Sequence, residues 1–217
     1  MRKIKSNPGY YLTVFFTFIF YSCSASFVNL SESKILVENY YEGGQYEKDL
    51  SKIIADAIDE FRGIDVTRNS VVIFDVDDTA LSNYNFIKSM DFGYVKSLWD
   101  DYIEKGNAPV IYEVKTLYDY LVDRRIKIIF LTGRSYNNYE STYNNLKDAG
   151  YREFDTLIVR SKNQLNERAS DFKSVERLTL SDLGYKIIGC VGDQDSDLKG
   201  GNTGIKVKLP NYMYKVE

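Results

Sequence analysis

Two carboxylates two positions apart, Asp75 and Asp77, follow the apolar run Val71-Val72-Ile73-Phe74. Carboxylates this close repel, and one of them tends to hold its proton. A divalent cation removes the conflict for the first and leaves the second free to exchange a proton. Further along stand Thr132-Gly133-Arg134, Lys173, and the acidic stretch Asp193-Gln194-Asp195-Ser196-Asp197. A hydroxyl and a glycine where a strand meets its following helix can offer side-chain and backbone donors to an anion. The later carboxylates form a pattern suited to a hard, oxygen-liganded metal, with an exposed acidic turn as the plainer alternative. Lys173 taken alone reads as a solvated lysine. The chain contains no histidine. Ser-His-Asp hydrolases, Cys-His nucleophiles, phosphohistidine chemistry and His-ligated zinc are thereby excluded. Catalysis is left to carboxylates, hydroxyls, Lys and Arg.

The elements that must position these residues follow from the hydrophobic pattern. Val71–Phe74 is apolar without alternation, as expected of a strand buried on both faces of a parallel sheet. Lys127–Leu131, Thr156–Val159, Ile187–Val191 and Ile205–Leu209 read as further strands. Between them, Glu113–Asp123, Asn138–Ala149 and Asp171 to about Leu183 carry helical spacing, as do Ile35–Tyr41 and Gln45–Phe61 ahead of the first strand. Alternating strands and helices with right-handed crossovers give an α/β, doubly wound domain with a parallel sheet. In such sheets ligands sit beyond the carboxyl ends of the strands, where Asp75 and Asp77 emerge. Residues 81–107 form a long insertion after the first strand, rich in aromatics: Tyr84, Phe86, Phe92, Tyr94, Trp99 and Tyr102. A segment of that length between strand and helix is expected to cover a site, or to be a small subdomain whose aromatics make its own core.

At 217 residues the chain allows one domain with a substantial core, and its net charge of -3 offers no basic field for a nucleic-acid backbone. Met1-Arg2-Lys3-Ile4-Lys5 is basic, Tyr10–Tyr21 is apolar and aromatic, and Ser22-Cys23-Ser24-Ala25-Ser26 is small. That order reads as a secretory signal, too short for a span needing ~20 apolar residues. The end of the run resembles a bacterial lipobox, which implies a lipoprotein-type signal peptide over 1–22, lipidation at Cys23 and a tether over 23–34. Cleavage after Ala25 and an uncleaved anchor are the alternatives. The other cysteine, Cys190, lies in an apolar run and reads as a buried small hydrophobe.

The motifs together resemble the four-motif signature of the haloacid dehalogenase-like (HAD) hydrolases, and within them the acid phosphatase branch. That branch holds the bacterial class C acid phosphatases, often lipoproteins, and the plant acid phosphatases and vegetative storage proteins. The stretches that carry the resemblance include Phe74-Asp75-Val76-Asp77-Asp78-Thr79-Ala80-Leu81-Ser82-Asn83, Leu131-Thr132-Gly133-Arg134-Ser135 and Phe172-Lys173-Ser174-Val175-Glu176-Arg177. Gly43-Gly44-Gln45-Tyr46-Glu47, Glu104-Lys105-Gly106-Asn107-Ala108-Pro109, Gly192-Asp193-Gln194-Asp195-Ser196-Asp197-Leu198 and Lys208-Leu209-Pro210-Asn211-Tyr212-Met213-Tyr214 complete them. The resemblance implies a Rossmann-like HAD domain over 35–217 with a small cap insertion at about 81–107. It implies Asp75 as nucleophile, Asp77 as general acid and base, and Thr132 and Lys173 as phosphate-binding groups. Mg²⁺ would be held by Asp75, the backbone carbonyl of Asp77 and Asp193, with Asp197 holding a bound water. Arg134 would be an auxiliary contributor and Asp78 structural.

The expected activity is Mg²⁺-dependent hydrolysis of a small phosphomonoester, with nucleoside monophosphates as a candidate substrate class. The protein would be exported to a bacterial cell envelope and held to the membrane by lipid. A surface binding or storage-type lipoprotein with vestigial activity is the competing expectation. Some departures bear on it: Asp78 stands where many relatives carry Glu, Asp195 where the plant proteins tend to carry an aromatic, and Tyr102 where Trp is expected. The nucleophile position is intact, unlike in some storage-protein relatives.

Overall fold

Val71, Val72, Ile73 and Phe74 are all buried, at most 4 % exposed, which a strand apolar on both faces requires. The computed structural model describes residues 28–216. It begins with α1 (Leu30–Glu42) and α2 (Gln45–Arg62), followed by β1 (Ser70–Phe74). Two short helices, α3 (Tyr84–Ser89) and α4 (Lys96–Lys105), fill the insertion that precedes α5 (Tyr112–Asp123). Next come β2 (Lys127–Ser135), α6 (Tyr139–Asp148), β3 (Thr156–Arg160) and α7 (Ala169–Asp182). The chain closes with β4 (Lys186–Gly192), α8 (Asp195–Leu198) and β5 (Ile205–Lys208). Among the described residues no helix is long and apolar enough to cross a membrane.

All five strands are parallel, in the order β3-β2-β1-β4-β5. The chain builds outward from β1 through β2 to β3, then returns to the other side of β1 for β4 and β5. This reversal opens a crevice at the carboxyl ends of β1 and β4. Alternate side chains feed two cores. Val72 and Phe74, with Ile128, Phe130 and Leu157, pack under α2 and α5 through Leu50, Ile54, Phe61, Leu117 and Leu121. Val71 and Ile73, with Ile129, Leu131 and Cys190, pack under Phe172 and Leu180 of α7 and Leu198 of α8. Cys190 is thus a buried thiol of the second core with no disulfide among the described residues, as its apolar setting in the sequence implied.

Two expectations change. Residues 30–34 are the first turns of α1 and not a tether: Asn29 caps the helix by accepting the Ser31 amide, and Lys34 pairs with Asp91 of the insertion at 2.6 Å. Residues 1–27, with the signal segment and Cys23, lie outside the described part. Thr132-Gly133-Arg134 lies inside β2 and not at a strand–helix junction, because that strand runs on to pair Ser135 with Arg160. The final segment is tied in, with Asn211, Tyr214 and Val216 bonding back to the residues that follow β1 and β4.

The β1–β4 pairing contains a shift, with Val71 opposite Ile187 but Val72 opposite Gly189. Gly189 lies under the fully buried Phe61, where a Cβ would stand 2.4 Å from the ring. Gly189→Ala is therefore expected to destabilise the fold by about 1–3 kcal/mol through overpacking. Denaturant titration checks this, and an unchanged midpoint would contradict the close approach of α2 to the sheet.

Candidate active site

Asp75 is the first residue past β1, and its amide still donates to the Val191 carbonyl at 2.9 Å, so the sheet fixes its backbone. Asp193 is the first residue past β4, and Asp197 lies in α8, one turn further. The carboxylates of Asp75, Asp193 and Asp197 each place an oxygen within 4.8 Å of the others, and all three are buried. Gly192 makes this possible, since a Cβ there would stand 2.2 Å from the Asp197 carboxylate. Lys173, projected from the second turn of α7, donates to Asp75 and also to Asp197 at 2.5 Å. Asp193 is held by the Thr79 hydroxyl at 3.2 Å and by the Gln194 and Asn211 amides, each at 2.6 Å.

Three buried carboxylates against one ammonium leave excess negative charge in this cluster. Burial lifts the Asp75 carboxyl well above its ordinary value; Lys173 opposes this, while Asp197 and Asp193 add to it. Burial and Asp197 push Asp193 up to about 6. Burial alone would lower Lys173, but Asp197 and Asp75 raise it above the usual lysine range. An all-oxygen, electron-rich cluster of this kind fits a hard divalent cation. The carboxylate of Asp77 is not part of it. No hydrogen bond among the described residues occupies the Asp77 carbonyl, which leaves that oxygen as the available donor of this residue.

Asp77 instead faces Arg134. The guanidinium donates from Nε at 3.1 and 3.2 Å and from Nη2 at 2.8 Å, while Asn83 adds a bond at 2.9 Å and Thr132 one at 3.4 Å. Burial would raise this carboxyl, but the charge and hydrogen bonds of Arg134 bring it below the ordinary aspartate range. Two aspartates two residues apart thus have opposite proton affinities. Lys173 lines a hollow together with Asp75, Asp77, Asp193 and Asp197, while Thr132 does not line it and touches the site through its bond to Asp77. The residues not singled out are Asn83, Thr79, Gln194, Asn211 and Tyr214. The stretches containing them had been recognised, but a hydrogen bond to a carboxylate leaves no pattern in spacing.

The hollow, of about 90 Å³, is lined by Asp75, Asp77, Lys173, Asp193 and Asp197 among others. It shares Asp77, Gly133 and Tyr214 with a larger cavity of about 460 Å³ under the insertion. Phe86, Phe92, Tyr94 and Trp99 line that cavity, whereas Tyr84 and Tyr102 do not. Tyr84 stacks on Tyr41 and Tyr102 on Phe86, so the aromatics divide between internal packing and cavity wall.

The model of the HAD superfamily, subfamily IIIB (acid phosphatase), matches residues 27–217. The chain belongs to this family. As a member it is a phosphoric monoester hydrolase by class. A stem 28 kDa glycoprotein of Glycine max is 36 % identical over 186 residues, covering 83 % of this chain and 73 % of that protein. Acid phosphatase 1 of Solanum lycopersicum is 31 % identical over 186 residues, with the same coverage of 83 % and 73 %. Vegetative storage protein 1 of Arabidopsis thaliana is 30 % identical over 190 residues, covering 84 % and 70 %. The class C acid phosphatase of Bacillus anthracis shares the fold, with a TM-score of 0.70, 18 % identity and 87 % of each chain covered.

The raised carboxyls have a consequence for stability. Above the ordinary aspartate value of 3.8 the folded chain holds protons that the unfolded chain has released, on Asp193 up to about 6 and on Asp78 up to about 7, and Asp75, raised in the same direction by burial, adds to them. Stability of the metal-free protein then falls as pH rises through that window. Asp77, shifted downward, acts in the opposite sense only below 3.8. Metal-free protein is expected to melt at a higher temperature at about pH 5 than at about pH 7, with an added divalent cation raising the midpoint most at the higher pH. A higher metal-free midpoint at about pH 7 would contradict the charge arrangement.

Proposed function

We propose that this protein hydrolyses small phosphomonoesters with Mg²⁺, through a phosphoryl group carried on Asp75. The observation that carries the reading is the pairing of a nucleophile candidate held by Lys173 with a neighbouring aspartate held by Arg134. In the first step an Asp75 oxygen bonds to phosphorus as the bond to the leaving oxygen breaks, and Asp77 gives that oxygen its proton. In the second step water attacks phosphorus, Asp77 takes the proton, and the Asp75 carboxylate is released with phosphate. Thr132 and Lys173 hold the non-reacting oxygens and offset their charge. Asp75, Asp193, Asp197 and the Asp77 carbonyl would hold the cation, which supplies positive charge that keeps Asp75 ionised and draws the phosphoryl group in.

Arg134 has a part in this scheme. While it grips Asp77, that carboxyl stays ionised and is a poor acid. An arriving phosphoryl dianion competes for the guanidinium, and loss of the grip lets Asp77 take up a proton. The apolar and aromatic lining of the larger cavity suits a leaving group with a flat ring, which supports nucleoside monophosphates over sugar phosphates as substrates. The storage or binding alternative is weakened by the same cluster. A protein with no turnover has no use for three buried, mutually repelling carboxylates beside a buried lysine.

Export is supported by the basic, apolar and small-residue order of Met1–Ser26. Lipid on Cys23 is the finer part of that reading, and attachment to a bacterial envelope rests on the lipobox resemblance alone. Cys23→Ser is expected to move the protein from the membrane fraction to the soluble exported fraction; an unchanged distribution would remove the anchor. For the chemistry, the full chain with Mg²⁺ is expected to hydrolyse p-nitrophenyl phosphate, and EDTA to abolish this reversibly. Asp75→Asn should lower turnover by roughly three orders of magnitude or more with the circular dichroism unchanged. Turnover by Asp75→Asn at the parent rate would overturn the nucleophile assignment.

A further inference from the structure

Asp78 takes no part in the cation cluster or the phosphate-binding set, yet it is 3 % exposed and ionisable. Its backbone is in the left-handed region (φ 51°), which aims the side chain away from Asp77 and toward the insertion and the final segment. One Asp78 oxygen accepts the Asn83 backbone amide at 2.8 Å. The other accepts the Tyr214 hydroxyl at 2.6 Å and, more loosely, Asn83 Nδ2 at 3.5 Å. That same Nδ2 donates to Asp77 at 2.9 Å. The Asn83 carboxamide is fully buried, and its own Oδ1 has no hydrogen-bond partner among the described residues. An amide satisfied on one side only is oriented by what it donates to, so Asp78 sets the direction in which Asn83 holds Asp77.

Tyr214 is itself firmly placed. Asn211 donates to Asp193 and accepts the Met213 and Tyr214 amides at 2.8 and 3.4 Å, and the Val216 amide donates to Gln194 at 2.9 Å. The final segment is thus tied down on both sides of the tyrosine. Asp77 is gripped by Arg134 on one side and Asn83 on the other. Once Arg134 and Thr132 turn to phosphoryl oxygens, Asn83 is the grip that remains.

We propose that Tyr214, acting through Asp78 and Asn83, is a positioning residue that holds the Asp77 carboxyl at the leaving oxygen during proton transfer. This rests on the phosphatase reading above, with Asp77 as the acid. The plainer role for the Tyr214–Asp78 bond is a staple that keeps the final segment in place as a cavity wall. The two roles differ in what they do to different leaving groups. p-Nitrophenolate departs with little need of a proton, whereas an alkoxide must be protonated as it leaves.

The test measures kcat and KM of the full chain, Tyr214→Phe and Asp78→Asn with Mg²⁺, on p-nitrophenyl phosphate and on glycerol 2-phosphate. Tyr214→Phe keeps the ring in the wall and removes the hydroxyl. In both variants the ratio of kcat/KM for p-nitrophenyl phosphate to that for glycerol 2-phosphate is expected to rise about tenfold, carried by kcat rather than KM. The ratio is independent of the folded fraction, so partial unfolding neither mimics nor hides it. Equal losses on both substrates, or no loss on either, would overturn the proposal and leave the staple. Failure of the parent chain to hydrolyse p-nitrophenyl phosphate would instead overturn the phosphatase reading itself.

Discussion

Repulsion among buried carboxylates is the constraint on which the rest of this molecule depends. Asp75, Asp193 and Asp197 share one hollow because β1 and β4 are neighbours and both point their carboxyl ends the same way. In an antiparallel arrangement the two strand ends would lie at opposite edges of the sheet. Close approach is further enforced by Gly192, whose missing side chain is the space that Asp197 fills. Lys173 offsets part of the charge, and it can do so only because α7 crosses that face of the sheet with Phe172 and Leu180 packed against it. The apolar core under α7 therefore sets where the ammonium stands.

From that constraint follows a contrast between Asp75 and Asp77. They belong to one short turn, yet their surroundings come from different parts of the chain. Asp75 is surrounded by the residues of β4, α8 and α7, mostly anionic, whereas Asp77 meets Arg134 of β2 and Asn83 of the insertion. Environments that push the proton affinities of neighbouring acids apart are how one site can hold a nucleophile and an acid–base group together. The turn between them is kept by backbone bonds, with the amides of Thr79, Ala80 and Leu81 converging on the Val76 carbonyl.

Much of this was legible in the sequence, for physical reasons that differ by element. The buried strands announced themselves because a parallel sheet covered on both faces has no polar side to alternate with. The acidic strand ends announced themselves because such charge is rare beside an apolar run. The extension of β2 through Thr132-Gly133-Arg134 was not legible, since pairing of Ser135 with Arg160 is a long-range event with no local signature. The helical state of residues 30–34 was hidden by their polarity, which suits an exposed helix as well as a tether. The role of the last residues was hidden most deeply. Asn211 and Tyr214 are ordinary surface types, and their purpose exists only once β5 has delivered the chain beside Asp193 and Asp78.

The same placement bears on what kind of protein this is. Burying ionised groups costs several kcal/mol each even after relaxation, and replacing such a set by well-packed apolar residues is often neutral or stabilising. Selection for storage, or for holding a ligand by its apolar part, would have no reason to resist that replacement. Here the costly arrangement is complete and is buttressed from four directions: the sheet, α7, the insertion and the final segment. Marginal stability is given up where chemistry needs charge to be held against its preference. The large aromatic cavity beside it, with Arg134 and Gly133 in its wall, adjoins the same carboxylates through Asp77, so on the proposed reading a leaving group is recognised at the site itself rather than on a separate surface.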